Sequence, residues 1–183
     1  HTVKLLFLKC GKIDRKILEE ILVDQCRLAL HEGLGAASEE FLVATGLPER
    51  WIRDLSRRRA SCRVRAALKL GYIHDARAVD ALVSASTDGN VQVQMAVSVS
   101  LGRLKDPRGL PGLIRLAQRA SPAIPGLTLA AALAACARGG PRRLVSLLRA
   151  PESRTRIIGA WALSETADRT VLQELLTTSR DPE

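Results

Sequence analysis

The residues best equipped for chemistry in this 183-residue chain are dispersed along it. A single His-Glu pair occurs, His31-Glu32, and His74 stands by itself in a predicted turn. A transition metal needs several imidazole and carboxylate ligands converging on one point, so His31 is read as a favourable contact with a helix end. Cys10, Cys26, Cys62 and Cys136 lie far apart without CxxC spacing, which indicates neither a zinc site nor a disulfide framework. They are expected as small buried apolar residues of a reducing compartment. No Gly-rich phosphate loop, Ser-His-Asp arrangement or Cys-His pairing stands at informative spacing. The sequence therefore assigns no catalytic residue, no cofactor and no metal.

Arginine is the one functional side chain that concentrates. Arg50, Arg53, Arg57, Arg58, Arg59, Arg63 and Arg65 crowd one stretch with only Asp54 against them. Such a field is either a solvated edge or a docking surface for phosphates of lipid or nucleic acid, or for an acidic protein segment. The net charge of +9 comes mostly from the second part of the chain: residues 1–60 hold 11 basic and 9 acidic residues, the remainder 17 and 10. Trp51 and Trp161, with Arg154 and Arg156, could hold a nucleobase beside a phosphate. However, helical spacing groups Trp51 with Ile52 and Leu55, and Trp161 with Ile157, Ile158 and Leu163, so both indoles are expected in the core. Five aromatic residues are too few for a nucleic-acid stacking platform.

The elements that must position these residues are helices. Apolar residues make up 46% of the chain and aromatics 3%, which suits stacked aliphatic helices better than a β-sandwich. Four segments, Cys62–Gly71, Val93–Gly102, Leu127–Cys136 and Thr155–Ser164, carry small and aliphatic residues at the same offsets. Each is followed four positions later by Asp75, Asp106, Gly140 or Asp168, then by a second aliphatic stretch. The anchors Gly71, Gly102, Cys136 and Ser164 are 31, 34 and 28 residues apart, the spacing of a helical solenoid. The aspartates are read as N-caps, with Pro107 and Pro141 at the adjacent first helical positions. Arg77, Arg108 and Arg142 recur two residues later and are expected as a ladder reaching acids or carbonyls of the neighbouring repeat. Ala120–Gly126, with two prolines, is read as a turn inside a continuous stack.

Before the repeats, the pattern predicts helices over about Ile13–Glu32, Ser38–Thr45 and Pro48–Arg59. Ile17, Leu18, Ile21, Leu22, Leu28 and Leu30 are the apolar positions of the first. The division expected is an N-terminal helical annex over 1–60 and repeats over 61–183, at about 61–90, 91–125, 126–152 and 153–183. No run reaches the roughly 18 apolar residues of a membrane helix.

The motif Val-Arg, alanines, Leu-Gly and Asp-Pro-Arg resembles the HEAT repeat superfamily, in particular the short HEAT-like repeats of phycobilisome lyases. It is carried by Cys62-Arg63 to Gly71 with Asp75 and Arg77, and by Val93-Gln94 to Gly102 with Asp106-Pro107-Arg108. The resemblance implies an all-α, right-handed α-solenoid of about four helix pairs. The layout from Phe41 to Ala60 also resembles bacterial HEAT-repeat proteins with a membrane-spanning helix near their start. That implies a cytoplasmic array, membrane-associated through a segment before His1. Of the enzymes with related folds, deoxyhypusine-type hydroxylases would require repeated His-Glu pairs, which are lacking, and alkylpurine DNA glycosylases a basic groove with tryptophans and an acid. Nothing in the residues indicates a bilin pocket.

In such a stack the second helices line the inner curve, where Asp80, Ser84, Arg115, Gln118, Arg143, Ser146 and Arg149 are expected to point outward, with Gln173 and Thr177 beyond them. The reading is a non-enzymatic protein-interaction scaffold with Arg50, Arg53, Arg57, Arg58, Arg115, Arg143 and Arg149 as partner-binding residues. A nucleic-acid-binding or DNA-repair protein is the alternative, and an anionic membrane surface is a further partner class.

Overall fold

The structure, a computed structural model, describes residues 9–28, 32–119 and 123–166 and, over 32–36, the backbone alone. Among the described residues ten α-helices follow one another: α1 Lys12–Leu28, α2 Glu32–Thr45, α3 Leu47–Asp54, α4 Ala60–Leu70, α5 Ala76–Ala85, α6 Val91–Leu104, α7 Leu110–Arg119, α8 Gly126–Cys136, α9 Val145–Leu148 and α10 Ser153–Thr166. Short 3₁₀ turns, Pro107–Gly109 and Pro141–Leu144, lead into α7 and α9. No strand occurs among the described residues.

The four repeat segments fall on α4, α6, α8 and α10, which pack in a row, each against the next. The second helices α5 and α7 lie alongside, so each unit covers its neighbour's apolar face. Leu70, Val97, Leu101, Leu129, Leu133 and Ile158 are among the residues that fill the seam between rows. The row is tight because small residues meet in it. A Cβ on Gly71 would lie 2.7 Å from Ser100 Cβ, and one on Gly102 would lie 2.9 Å from Ala132 Cβ. Ser100 Oγ donates to Ala67 O at 2.8 Å and Thr155 Oγ1 to Ala117 O at 3.0 Å, so the hydroxyls buried by this approach keep partners. The stack continues through the proline-containing turn, since α8 packs on α6.

The helix starts follow cap chemistry. Asp75 accepts the amide of Arg77 at 2.8 Å and Asp106 that of Arg108 at 2.9 Å, while Asn90 accepts the amides of Gln92 and Val93 at the start of α6. Gly140 offers no such oxygen, and the third pair's second element is a 3₁₀ turn followed by only four α-helical residues. Asp168 and the second helix of the fourth pair, with Leu172 and Leu175, lie outside the described residues.

Four expectations need correction. Helix α2 begins at Glu32, so Ser38 is a buried interior residue and no cap. Gly46, at φ 75°, makes the left-handed turn that separates α2 from α3. Helix α3 ends at Asp54, which leaves Arg57, Arg58 and Arg59 in the connection to α4, where they share no helical face with Arg50 and Arg53. Arg77 and Arg108 make no ladder: each guanidinium folds back on the capping aspartate of its own repeat, at 2.5 and 2.6 Å, and Arg77 also reaches Glu49 of α3 at 2.9 Å. The cap carboxylate is two residues away in sequence and takes the hydrogen bonds, while Asp75 and Asp80 of the preceding repeat act on Arg108 through charge alone. Finally, Trp161 is 43% exposed. Helix α10 buries Thr155, Ile158, Gly159, Ala162 and Leu163, and position 161 falls outside that stripe, its ring edge lying over Gly126.

Candidate functional site

Helix α1 packs on α2 and reaches α3 and α4 through Glu19. Its inward face presents Glu19 and Val23, with Leu18, Leu22 and Cys26 partly covered, while Ile13, Ile17 and Ile21 face outward. Ile17 and Ile21, two of the apolar positions from which this helix is predicted, thus lie on its exposed side. Glu19, 3% exposed, accepts three side-chain hydrogen bonds: from Arg50 at 2.7 Å, from the indole of Trp51 at 2.9 Å and from Lys69 at 2.8 Å. Lys69 also reaches Glu20 at 2.7 Å and stands 5.7 Å over the Trp51 ring. Trp51 is a core residue, as its spacing implies, and its N–H supplies the polar handle. Burial by itself would raise the Glu19 pKa; the hydrogen bonds and charges of Lys69, the indole and Arg50 outweigh it and hold the carboxyl below its ordinary value.

Around this hub a cleft of about 320 Å³ opens between α1, α3 and α4, lined by five cations (Lys16, Arg50, Arg57, Arg65, Lys69) and three carboxylates (Glu19, Glu20, Asp54). Arg57 holds Asp54 at 3.0 Å. Lys16 and Arg65 are exposed and pair with no carboxylate among the described residues, and Arg53, Arg58 and Arg59 are exposed next to them. The arginine stretch therefore divides: Arg50 partly spends its charge on Glu19, whereas Arg53, Arg58 and Arg65 present theirs to solvent.

Arg63 belongs to the frame of this site. Its guanidinium grips Asp88 through two bonds, 2.6 and 2.9 Å, and donates to the carbonyls of Arg57 and Arg58 at 2.8 and 2.9 Å. It fixes the connection that carries the exposed arginines. Arg156 repeats the arrangement, donating to Ala150 O and Pro151 O at the same sequence offsets. Gln94 reaches Asp88 O at 2.6 Å, again six residues back. The second position of the repeat motif is thus a loop clasp, a role that recurrence at that offset could have revealed. Desolvation would raise the Asp88 pKa, but Arg63 and the Asn90 amide bring it below the usual carboxylate value.

The second-helix face is divided too. Asp80, Ser84, Gln118, Arg143, Ser146 and Arg149 are exposed as expected. Arg115 is half-buried and donates to Ser86 Oγ at 3.1 Å, tying α7 to the end of α5, so part of its donor set is used internally. Arg154 donates to Ile124 O and Arg156 to the carbonyls given above, so these two arginines serve backbone carbonyls. Cys136 is buried, and its thiol, donating to Leu101 O at 3.2 Å, is pushed up to about 12 by desolvation; Cys10, Cys26 and Cys62 are only half-buried. No group of His, Cys, Asp and Glu able to hold a metal occurs among the described residues, and no described helix is long and apolar enough to cross a membrane.

The family model for HEAT repeats matches residues 51–134, from α3 through most of α8. This stretch is similar to HEAT repeats. No curated protein matches the chain. Among solved structures, the HEAT-like chain is similar to one in the complex of CpcE and CpcF of phycocyanin lyase from Nostoc sp., with a TM-score of 0.51 and 23% identity over 87% of this chain and 69% of that one. At that identity the likeness concerns the fold.

Proposed function

We propose that the chain is a non-enzymatic protein-interaction scaffold whose HEAT array and annex present the α1–α3–α4 cleft to an acidic segment of a partner protein. The observation that carries this reading is the excess of cations in and beside the cleft: Lys16 of α1, Arg53 of α3 and Arg65 of α4 are exposed, as is Arg58 in the connection that Arg63 holds in place. A guanidinium fork matches a carboxylate in geometry as well as charge, and fixed arginines lose less freedom on binding. Arg143 and Arg149 extend the same polarity along the second-helix face. The similar phycocyanin lyase structure is itself a complex of two chains, CpcE and CpcF, which supports a protein as the class of partner. A cytoplasmic, membrane-tethered setting is part of the proposal and is tested by locating the full gene product in fractionated cells.

The test is binding of a fluorescein-labelled Asp/Glu-rich peptide, followed by anisotropy, for the parent chain and for Arg53→Glu/Arg58→Glu/Arg65→Glu. The proposal expects saturable binding that the triple variant weakens by about 10-fold or more. Equal binding by both proteins would reject it. Tighter binding of random duplex DNA, falling steeply with added salt, would instead favour the nucleic-acid alternative.

A further inference from the structure

We propose that α1 pairs with α1 of a second copy of this chain, antiparallel across a two-fold axis. Ile13, Ile17 and Ile21 are 75%, 54% and 51% exposed, and with Leu28, also exposed, they form an apolar stripe at helical spacing on the side of α1 turned away from the array. The inward side is already occupied by the Glu19 hub, so the stripe is not placed outward for want of a folded core.

The charges beside the stripe select the occupant. A shallow apolar groove runs between Ile13, Ile17 and Ile21 and an edge formed by Lys12, Lys16, Glu20 and Asp24. On that edge both cations stand toward the N-terminus and both acids toward the C-terminus. Within one helix Lys12 with Lys16, and Glu20 with Asp24, are like charges four residues apart, Lys16 with Glu20 alone being opposite, and Lys12 in the first turn opposes the helix dipole. An antiparallel copy reverses the order. In antiparallel pairing the same edge of each helix meets, which brings Lys16 opposite Glu20 and Lys12 opposite Asp24 of the other chain, each contact occurring twice by symmetry. Ile13 then lies against Ile21 of the other copy, with the two Ile17 side chains near the axis. A parallel pair brings opposite edges of the two helices together, so Lys12 and Lys16 would not meet Glu20 and Asp24 of the other copy, and an acidic or basic partner would satisfy only half of the edge. The acids keep capacity for this: Glu20 is half exposed while bound to Lys69, and Asp24 is exposed while bound to Arg27.

A helix of this length is about 25 Å long, and a single helix pair covers less than the roughly 800 Å² per partner of a standard interface, so the association belongs to the transient, concentration-dependent class. It shares Lys16 and Glu20 with the rim of the cleft, but its apolar stripe of Ile13, Ile17 and Ile21 lies outside the cleft, and the dimer is tested without any acidic partner present.

The experiment is sedimentation velocity on the full chain over a concentration series, with circular dichroism as the control for folding. The expected result is a monomer–dimer equilibrium that Ile17→Glu abolishes without loss of helicity or melting temperature. Lys12→Glu and Asp24→Lys should each weaken the dimer by at least about 10-fold. An equimolar mixture of the two, and the double variant Lys12→Glu/Asp24→Lys, should regain it because opposite charges again face each other. A parent chain that stays monomeric throughout, a dimer that survives Ile17→Glu, or charge variants that behave as the parent would each overturn the proposal. If the parent is monomeric and Ile17→Glu lowers the melting temperature, the occupant is apolar chain of the same molecule, such as Val3 to Leu8.

Discussion

Glu19→Ala is the most demanding trial of the annex–array junction. The substitution removes three hydrogen bonds at 2.7–2.9 Å from a carboxylate that is almost fully covered. It strands the Trp51 indole N–H in the core and leaves Lys69, whose side chain is 14% exposed, with Glu20 alone. Breaking a buried ion pair from one side costs about 3–5 kcal/mol, and the retained Glu20 contact argues for the lower end, about 3 kcal/mol. For a chain of this size that corresponds to a fall in melting temperature of about 6–12 °C. Urea denaturation at pH 7, followed by far-UV circular dichroism and by tryptophan fluorescence, measures it. Fluorescence should change first if the annex detaches before the array unfolds. Glu19→Gln keeps an acceptor for the indole and should lose about half as much. Lys69→Met in the Glu19→Ala background should cost less than the sum of the single changes, because the stranded cation is removed too. A loss below about 1 kcal/mol for Glu19→Ala would refute the argument, since it would make the hub an exposed ion pair in energetic terms.

Acid should destabilise the fold in a defined window. The carboxyls of Glu19, Asp75, Asp88 and Asp106 all titrate below their ordinary values, so the folded state binds fewer protons than the unfolded one; their contribution is complete above about pH 4.5 and is lost as pH falls through the depressed values. Melting temperature against pH from 7 to 2 checks this, and a flat profile below 4.5 would contradict it. Gly102→Ala should cost about 1–3 kcal/mol by forcing α6 away from Ala132, whereas Gly89→Ala, at a position with open space, should cost under about 0.5 kcal/mol in the same urea series. Thiol labelling of the native chain at pH 8 should modify Cys136 last, and only at the rate of unfolding, because its thiol is buried and titrates near 12.

The repeat helices were legible because their constraints are local. Small residues at fixed offsets, Asp75 and Asp106 as caps, and Gly71 and Gly102 at close approaches each express a geometry that the chain must satisfy in every unit. The annex was less legible. In α1 the isoleucines look like a core face, and only the three donors converging from Arg50, Trp51 and Lys69, 31 to 50 residues away in sequence, make Glu19 the inward residue instead. Trp161 misleads in a related way: its neighbours Ile158 and Ala162 are buried, yet one step of 100° around α10 carries the indole to the surface. The arginine stretch was visible as charge, but its division into a clasp, a hub donor and solvent-facing cations depends on Asp88 and Glu19, which no spacing rule connects to it.

The row of first helices has a mechanical implication. Because α4 touches α6, α6 touches α8 and α8 touches α10, while α5 and α7 run alongside, a disturbance at the far end of the array reaches the α4 cleft by passing from unit to unit. Every junction is a point where the signal can be lost as local loosening. Fine control of the cleft from a distance would therefore require stiff junctions, and the places where backbones almost touch, Gly71 on Ser100 and Gly102 on Ala132, are where this molecule is least able to absorb a push.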